Sequence, residues 1–423
     1  MTSSDKGTIS TTQSGGIALA SGAAAVSTLL ITVLAARGLT QLQGPQAYKE
    51  FTVFWGLFFG SVSVVAGIQN ELTRAVGTQQ RRVNHDRSGT KAMWAPVILG
   101  GLVAALLLVF SPWWGPALLP SASPAAIVLL CAGVWLMAGY QAFLGIVSGV
   151  RRWSVFAALL GTDAGLRFGL VLAAFLLGST LGGYQIASVL AGVGWVGWLV
   201  FSPSTRACSG ARTDVGLRRL LTNSAFAMIS AAASAVLVTA FPVFVQLSHA
   251  GSDAALLGSL ITAISLTRST LMIPLQAFQG VAISAFLAKK ERSARTLLRP
   301  LMAVLVVSVL GSLLASAIGP WFLRTLYGPV FVLPGIVFAA LMVASGLLGM
   351  LLLTGTAVLA DNRHRLFSLG WVTAALVAVG CVSWIEEPVT AVVVALMVGP
   401  LVGVMIHLTG LSAARPVNNV PRF

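Results

Sequence analysis

Residues 159–177 read LLGTDAGLRFGLVLAAFLL, an apolar run that holds two charges, Asp163 and Arg167. A helix needs about 20 apolar residues to cross a hydrocarbon core of about 30 Å. Each charge costs about 2.5–3.5 kcal/mol at the centre of such a helix. An aspartate followed four residues later by an arginine lies on the same helix face and can pair with it. The run therefore predicts a membrane helix whose charged face turns towards other helices or a hydrated cavity.

The composition extends this prediction to the whole chain. Of its 423 residues, 57% are hydrophobic and 9% are charged, whereas a soluble domain carries about 25% charged residues. Recurrent apolar runs predict an all-α polytopic membrane protein with about twelve transmembrane helices. The approximate ranges of these predicted spans are 15–37, 47–70, 94–113, 124–149, 154–177, 181–202, 222–246, 255–287, 300–319, 329–359, 366–385 and 388–411.

Positive charge alternates between the predicted loops, and short loops rich in Arg and Lys stay in the cytoplasm. The basic loops are 71–93, 150–153, 203–221 and 288–299. This pattern predicts that both termini are cytoplasmic and that the protein lies in the plasma (inner) membrane. The net charge of +15 is then mainly a topology signal that contact with anionic lipid would reinforce, and no nucleic-acid partner is predicted.

The long basic loop at 203–221 separates six predicted spans from six. We therefore predict two six-helix lobes, 1–205 and 206–423. Each lobe starts on the cytoplasmic side, so the lobes would be parallel repeats, an arrangement found in transporters.

The predicted outer loops are short and carry few acids, which favours a carrier over an enzyme. No paired carboxylates and no nucleophile with a neighbouring base occur at catalytic spacing. The three cysteines and four histidines are scattered, so neither a metal site nor a cofactor is predicted.

Arg268 lies in the eighth predicted span and has no acidic residue near it in the sequence. A cation inside a membrane needs an anion, an array of carbonyl groups or a distant carboxylate, unless its side chain reaches the surface. Because arginine is permanently charged and binds phosphate with two parallel hydrogen bonds, Arg268 is a candidate substrate ligand.

The second predicted span carries polar residues at both ends. Glu50 lies near the outer end, and Asn70, Glu71 and Arg74 lie near the inner end. Glu71 and Arg74 are three residues apart, so a simple surface pair is an alternative to a functional role. The same alternative holds for Asp163 and Arg167. The candidates for an ion-coupling or cavity-lining role are Glu50, Glu71, Asp163 and Arg167.

Residues 34–77, LAARGLTQLQGPQAYKEFTVFWGLFFGSVSVVAGIQNELTRAVG, resemble the opening of polysaccharide flippases of the Wzx type. DAGLRFGLVL at 163–172 is similar to the arginine-bearing fifth helix of that family, and LYGPVFV at 326–332 is similar to the turn after its ninth helix. Glu50 departs from the pattern, in which a small or apolar residue follows the tyrosine turn. The positions that match the opening motif are Arg37, Gly44, Pro45, Tyr48, Phe51, Gly67 and Arg74.

The resemblance implies membership of the multidrug/oligosaccharidyl-lipid/polysaccharide (MOP) exporter superfamily. It implies two lobes around a central cavity that opens alternately to each side, lined by spans 1, 2, 7 and 8. By the same resemblance, Arg37, Arg74 and Arg268 would bind a lipid phosphate or diphosphate, and Asn70 is a further substrate-binding candidate.

The function expected from the sequence is a flippase for a polyprenyl-(di)phosphate-linked sugar or oligosaccharide in cell-envelope assembly. Membrane lipid, and glycosyltransferases or a polymerase of the same pathway, would be its partners. The alternatives are an exporter of cationic drugs (MATE type), a membrane glycosyltransferase or glycan polymerase, and a structural scaffold. A drug exporter would need an unpaired intramembrane acid, and a glycosyltransferase or polymerase would need acidic outer loops.

Overall fold

The structure, a computed structural model, describes residues 11–81, 89–287, 294–360 and 363–413. Within these ranges the regular elements are helices, so the all-α prediction is confirmed. The chain forms two compact units, Met1–Ala235 and Val236–Phe423. The division into six-helix lobes at residue 205 stays a prediction.

The helices up to residue 238 are long spans interrupted by shorter segments. They are α1 Thr11–Gln43, α2 Pro45–Arg81, α3 Gly101–Val109, α4 Ser111–Leu118, α5 Pro124–Gly149, α6 Trp153–Leu176, α7 Leu181–Leu190, α8 Gly194–Phe201, α9 Pro203–Ser209 and α10 Leu217–Val238. A π-helical turn, Pro96–Gly100, precedes α3, and a 3-10 turn, Ala191–Val193, joins α7 to α8.

The remaining helices complete the second unit. They are α11 Phe241–Ser248, α12 Ala254–Leu287, α13 Ala294–Phe322, α14 Gly335–Ala360, α15 His364–Trp384 and α16 Pro388–Ala413. A π-helical turn, Leu323–Tyr327, follows α13.

Ten helices in the described ranges are long and apolar enough to cross a membrane, or eleven if the bent pair Pro96–Val109 and Ser111–Leu118 forms one span. These correspond to eleven of the twelve predicted spans. The remaining predicted span is the eighth, 255–287, which coincides with α12, a helix of 34 residues. Side chains of α12 beyond Thr270 lie outside the described part of the chain.

Three predicted spans are not continuous α-helices: the sixth, 181–202, contains the 3-10 turn Ala191–Val193, and the third and seventh break at a proline. The third bends by 69° between α3 and α4, where a proline occupies the first turn of α4. The seventh stops at Val238 and resumes at Phe241, with Pro242 in the first turn of α11. Proline lacks the N–H that would continue the helical ladder, so the predicted spans 94–113 and 222–246 each contain a break that the sequence analysis did not anticipate.

Close packing of α2 against α5 forms the centre of the first unit. Phe51, Phe54 and Phe58 of α2 and Phe143 of α5 are fully buried. Gly145 of α5 lies so near α2 that a Cβ atom there would be 2.6 Å from the carbonyl oxygen of Gln69. Between membrane helices, this kind of van der Waals contact at small residues supplies much of the association energy.

Tight connections fix the entry points of the helices. Gly44 has a φ of +82° between α1 and α2, a left-handed conformation that costs glycine little. The Ser123 hydroxyl accepts a hydrogen bond from Ala126 N at the start of α5, as an N-cap does. In the second unit, α14 packs against α12, α13 and α16, and α15 lies along α16.

Candidate functional site

Arg268 projects from α12 and is buried, with 9% of its surface exposed. Its Nη1 donates a hydrogen bond to the carbonyl oxygen of Val238 at 3.0 Å. The guanidinium lies over the Phe241 ring, 5.9 Å from its centroid. Val238 and Phe241 flank the break between α10 and α11, where carbonyl groups lack their intrahelical partners. Arg268 therefore anchors α12 to the broken span, and its side chain does not reach the surface.

A small cavity borders the Arg268 side chain. Its lining is mainly apolar, with Thr267 and Ser345 as the other polar residues, and it has room for about one water molecule. The Thr267 hydroxyl donates to Ala263 O at 2.9 Å, and the Ser345 hydroxyl donates to Leu341 O at 2.8 Å. The Ser345 hydroxyl also lies 3.4 Å from Thr267 Oγ1, so these two side chains bond each other as well as the backbone.

No carboxylate compensates the charge of Arg268 among the described residues. Helices α11 to α16 contain neither Asp nor Glu. The acids described between these helices, Asp253, Glu386 and Glu387, are exposed. A buried charge without a counter-ion carries a penalty of several kcal/mol. The second unit is therefore electrostatically suited to an anion beside Arg268.

Arg167 is also buried but is neutralised within the first unit. Its Nη2 lies 2.5 Å from Asp163 Oδ1, and its Nη1 donates to the carbonyl oxygen of Ser188. The guanidinium lies 4.9 Å from the centroid of the Phe59 ring. These contacts join α6 to α2 and α7. The pairing of Asp163 with Arg167, one of the two interpretations of the sequence, is thus present in the structure.

Glu71 and Arg74 form a second cluster, near the end of α2. Arg74 Nη2 lies 2.6 Å from Glu71 Oε1, and Arg74 Nη1 lies 3.2 Å from Asp214 Oδ2. Asn223 Nδ2 of α10 donates to Glu71 Oε1 at 3.0 Å. The cluster ties α2 to α10 and to the segment before it, and it leaves Arg74 paired with two carboxylates.

Glu50 has a local role in the structure. It is 1% exposed and accepts hydrogen bonds from Ser121 N at 3.1 Å and Ser121 Oγ at 2.8 Å. Gln46 Nε2 donates to the same carboxylate at 2.9 Å. Glu50 therefore holds the connection between α4 and α5 against the start of α2.

Arg37 and Arg74 do not form one binding site. At 1.5 Å per residue, Arg37 lies about 9 Å along α1 from the turn at Gly44, and Arg74 lies about 44 Å along α2 from that turn. The two helices pack together after this turn, so the arginines differ in depth by about 35 Å. Arg37 is half-buried, and Asn70 is exposed.

Sequence reasoning missed three residues that the structure brings into polar clusters. Asp214 and Asn223 complete the Glu71–Arg74 cluster from more than a hundred residues away, and nothing local in the sequence marks them. His407 is fully buried in α16. The sequence did mark His407, because it is the one titratable residue between Pro388 and Ala413.

Comparison with solved structures identifies the fold. An inward-facing multidrug-resistance MATE transporter of the MOP superfamily gives a TM-score of 0.72 at 13% identity, over 92% of this chain and 93% of that one. An outward-facing structure of such a transporter gives a TM-score of 0.64 at 15% identity, over 94% of each chain. A MOP transporter from Pyrococcus furiosus, described as having a binding pocket of reverse polarity that suggests a different function, gives 0.61 at 14% identity, over 94% of each chain. The transporter fold that the resemblance implied is confirmed.

No family model matches the sequence. Two Mycobacterium tuberculosis proteins are similar along nearly their whole length. Uncharacterized protein Rv3630 is 34% identical over 412 residues, covering 94% of this chain and 92% of its own. Uncharacterized protein Rv1510 is 33% identical over 404 residues, which cover 95% of this chain and 91% of Rv1510. The chain therefore belongs to the same protein family as Rv3630 and Rv1510, and it has the fold of the MATE transporters of the MOP superfamily.

Proposed function

We propose that this transporter-fold protein is a flippase that moves a polyprenyl-phosphate-linked or polyprenyl-diphosphate-linked sugar from the inner to the outer leaflet of the plasma membrane. The phosphate would pass fixed arginines while the lipid tail stays in the bilayer. The cargo would come from membrane glycosyltransferases and would leave towards a glycan polymerase. Membrane insertion itself follows from the apolar helices and the fold.

The observation that carries this proposal is the uncompensated charge of Arg268. It is buried beside a small cavity, and helices α11 to α16 contain no acid. An arginine that already has a carboxylate gains little from a phosphate, whereas one without a counter-ion gains a charge-assisted hydrogen bond. The likeness to a MOP transporter whose pocket is described as reversed in polarity supports a cargo other than a multidrug-exporter substrate.

Export of cationic drugs is the second candidate, because the similar solved structures include multidrug transporters. A cationic cargo needs an available carboxylate inside the membrane. In the first unit, Glu71 is paired with Arg74, Asp163 is paired with Arg167, and Glu50 accepts hydrogen bonds from Ser121. These pairings favour the anionic cargo.

The test is headgroup movement in vesicles that contain the reconstituted protein and a fluorescent polyprenyl-diphosphate-linked sugar. A membrane-impermeant quencher reports how fast the inner-leaflet pool reaches the outer leaflet. Arg268→Ala should slow this movement about 10-fold to 100-fold, since a charge-assisted hydrogen bond contributes about 1.5–3 kcal/mol. Arg268→Lys should lose less, because it keeps the charge.

Arg324→Ala is the matched control, because Arg324 belongs to the same unit and is exposed. It should flip the lipid as fast as the unmodified chain. Equal rates for Arg268→Ala and the unmodified chain would remove Arg268 from the mechanism. Transport of a cationic dye without movement of any polyprenyl-linked sugar would establish the drug exporter instead.

An ion gradient coupled through Asp163 or Glu71 would reset the transporter in each cycle. Both acids are paired in the structure, so coupling would require the pairs to open during transport. Replacing Asp163 with Asn and Glu71 with Gln in one chain tests this part alone. Transport at an unchanged rate under an ion gradient would remove both acids from coupling.

A further inference from the structure

His407 occupies a polar position at the meeting point of three helices of the second unit. It is fully buried and stacks on the Phe367 ring of α15, with centroids 6.3 Å apart and planes 9° apart. Its Nδ1 lies 3.0 Å from Thr354 Oγ1 of α14. Its Nε2 lies 3.3 Å from the carbonyl oxygen of Phe367. Gly370 of α15 leaves the space that the ring fills, because a Cβ atom there would overlap Nε2.

The Phe367 carbonyl fixes the proton on Nε2. A carbonyl oxygen accepts hydrogen bonds and never donates them, so Nε2 must carry a hydrogen to bond with it. In the neutral ring, Nδ1 is then an acceptor, and the Thr354 hydroxyl must donate to it. In the charged ring, Nδ1 carries a second hydrogen and must donate to Thr354 Oγ1.

Thr354 can satisfy both forms of the ring. Its hydroxyl lies 2.9 Å from the carbonyl oxygen of Met350 and 3.1 Å from that of Leu351. When His407 is neutral, the hydroxyl hydrogen points to Nδ1. When His407 is charged, the hydrogen turns to one of the two carbonyl oxygens, and the hydroxyl oxygen accepts from Nδ1. Each donor keeps an acceptor in both forms, and no heavy atom has to move.

The charged groups on the surrounding helices are all basic. Arg363 precedes α15, and its Nη1 lies 2.5 Å from the carbonyl oxygen of Gly410, one turn after His407. The described parts of α12 to α16 contain no acid, so nothing on these helices stabilises a charged ring by ion pairing. The other basic residues on these elements are Arg268 on α12, Arg295 and Arg299 on α13, and His364 and Arg365 on α15.

We propose that His407 is a proton-binding site that controls how α15 and α16 pack against α14. The proton adds to Nδ1, and the Thr354 hydroxyl reverses to receive it. A charged ring at this position has no acid on these helices to pair with, and Arg363 bonds the backbone one turn away, so the charge favours an arrangement that admits water or an anion between the helices. This role concerns a proton and holds whatever cargo the chain carries.

The test uses the full chain in lipid nanodiscs, with imidazole nitrogens labelled by ¹⁵N. The chain has four histidines, and the signal lost in His407→Gln belongs to His407. If that variant does not fold, a chain in which the other three histidines are replaced by Gln gives the same assignment. The spectra are followed from about pH 8 to about pH 4, a window that brackets the ordinary imidazole pKa of about 6.5.

At high pH, we expect His407 to show the neutral ring with its proton on Nε2, and at low pH the doubly protonated ring. Thr354→Val removes the hydroxyl and should move the midpoint of this titration to lower pH by about one unit, the loss expected for one hydrogen bond. Thr354→Ser keeps the hydroxyl and should titrate like the unmodified chain. A ring that stays neutral throughout the window, or a Thr354→Val chain that titrates unchanged, would overturn the proposal.

Discussion

Arg167 and Arg268 are both buried, both bond a backbone carbonyl, and both lie over a phenylalanine ring. They differ at the residue scale in one respect, since Asp163 neutralises Arg167 and no described acid neutralises Arg268. The same residue type therefore has two roles. Arg167 joins three helices with its charge satisfied, whereas Arg268 keeps a charge that an anion can satisfy.

Asp163→Asn should destabilise the protein by about 3 kcal/mol, because it leaves the Arg167 guanidinium buried and unpaired. The measurement is thermal unfolding of the purified protein in detergent. The double replacement Asp163→Asn with Arg167→Met is the control, and it should recover most of the loss, since it removes the unpaired charge as well. A single variant as stable as the unmodified chain would show that the pair contributes nothing to stability.

At the scale of the element, Glu387 is the N-terminal cap of α16. Its carboxylate accepts hydrogen bonds from Val389 N at 3.0 Å and Thr390 N at 2.6 Å. Burial raises the pKa of this carboxyl group, but the hydrogen bonds from Thr390 and Val389 outweigh that effect, so the pKa of Glu387 is lowered. A lowered pKa means stabilisation that is present above the unfolded-state pKa and is lost as pH falls through the folded-state pKa.

Glu387→Ala should therefore lower stability at neutral pH by about 1 kcal/mol, the usual contribution of a capping side chain. The difference from the unmodified chain should shrink as the pH falls through the lowered pKa of Glu387 and the carboxylate takes up a proton. Thermal unfolding of the variant and the unmodified chain, at neutral and at acidic pH, measures this difference in stability. Glu386→Ala is the matched control, and a pH-independent loss shared by both variants would contradict the capping role.

The positions of most helices were predictable from the sequence, because length and hydropathy together determine which segments can cross a bilayer. The breaks before α4 and α11 were not predicted, although Pro112 and Pro242 are visible in the sequence. A proline in an apolar run is compatible with a kinked span as well as a broken one. Whether the span kinks or breaks depends on whether the freed carbonyl groups find a hydrogen-bond partner. For the carbonyl group of Val238 that partner is Arg268, 30 residues further along the chain.

At the scale of the whole molecule, the orientation in the membrane is still a prediction. In a chain with Cys131, Cys208 and Cys381 replaced by alanine, Gly251→Cys and Gly216→Cys place thiols at exposed positions in two different loops. A membrane-impermeant thiol reagent added to intact cells should label Gly251→Cys and leave Gly216→Cys unlabelled, since basic loops stay in the cytoplasm. The opposite pattern would reverse the topology.

The chemistry of the candidate site was less predictable than the fold. The sequence marked Arg268 because an isolated arginine in an apolar helix is costly. It did not indicate that the side chain would be enclosed and bonded to Val238, since that contact depends on tertiary packing. The Glu71–Arg74 cluster shows the same limit, because its third and fourth members, Asp214 and Asn223, come from a distant segment.

The lack of acids in α11 to α16 also bears on the energy source for transport. If no co-transported cation cancels the phosphate charge of the cargo, each transport event moves net charge across the bilayer. The interior of a bacterial cell is electrically negative, and each elementary charge is worth about 2.3 kcal/mol per 100 mV. In the flippase that we propose, an anionic headgroup leaving the cytoplasmic side would thus be driven outward by the membrane voltage.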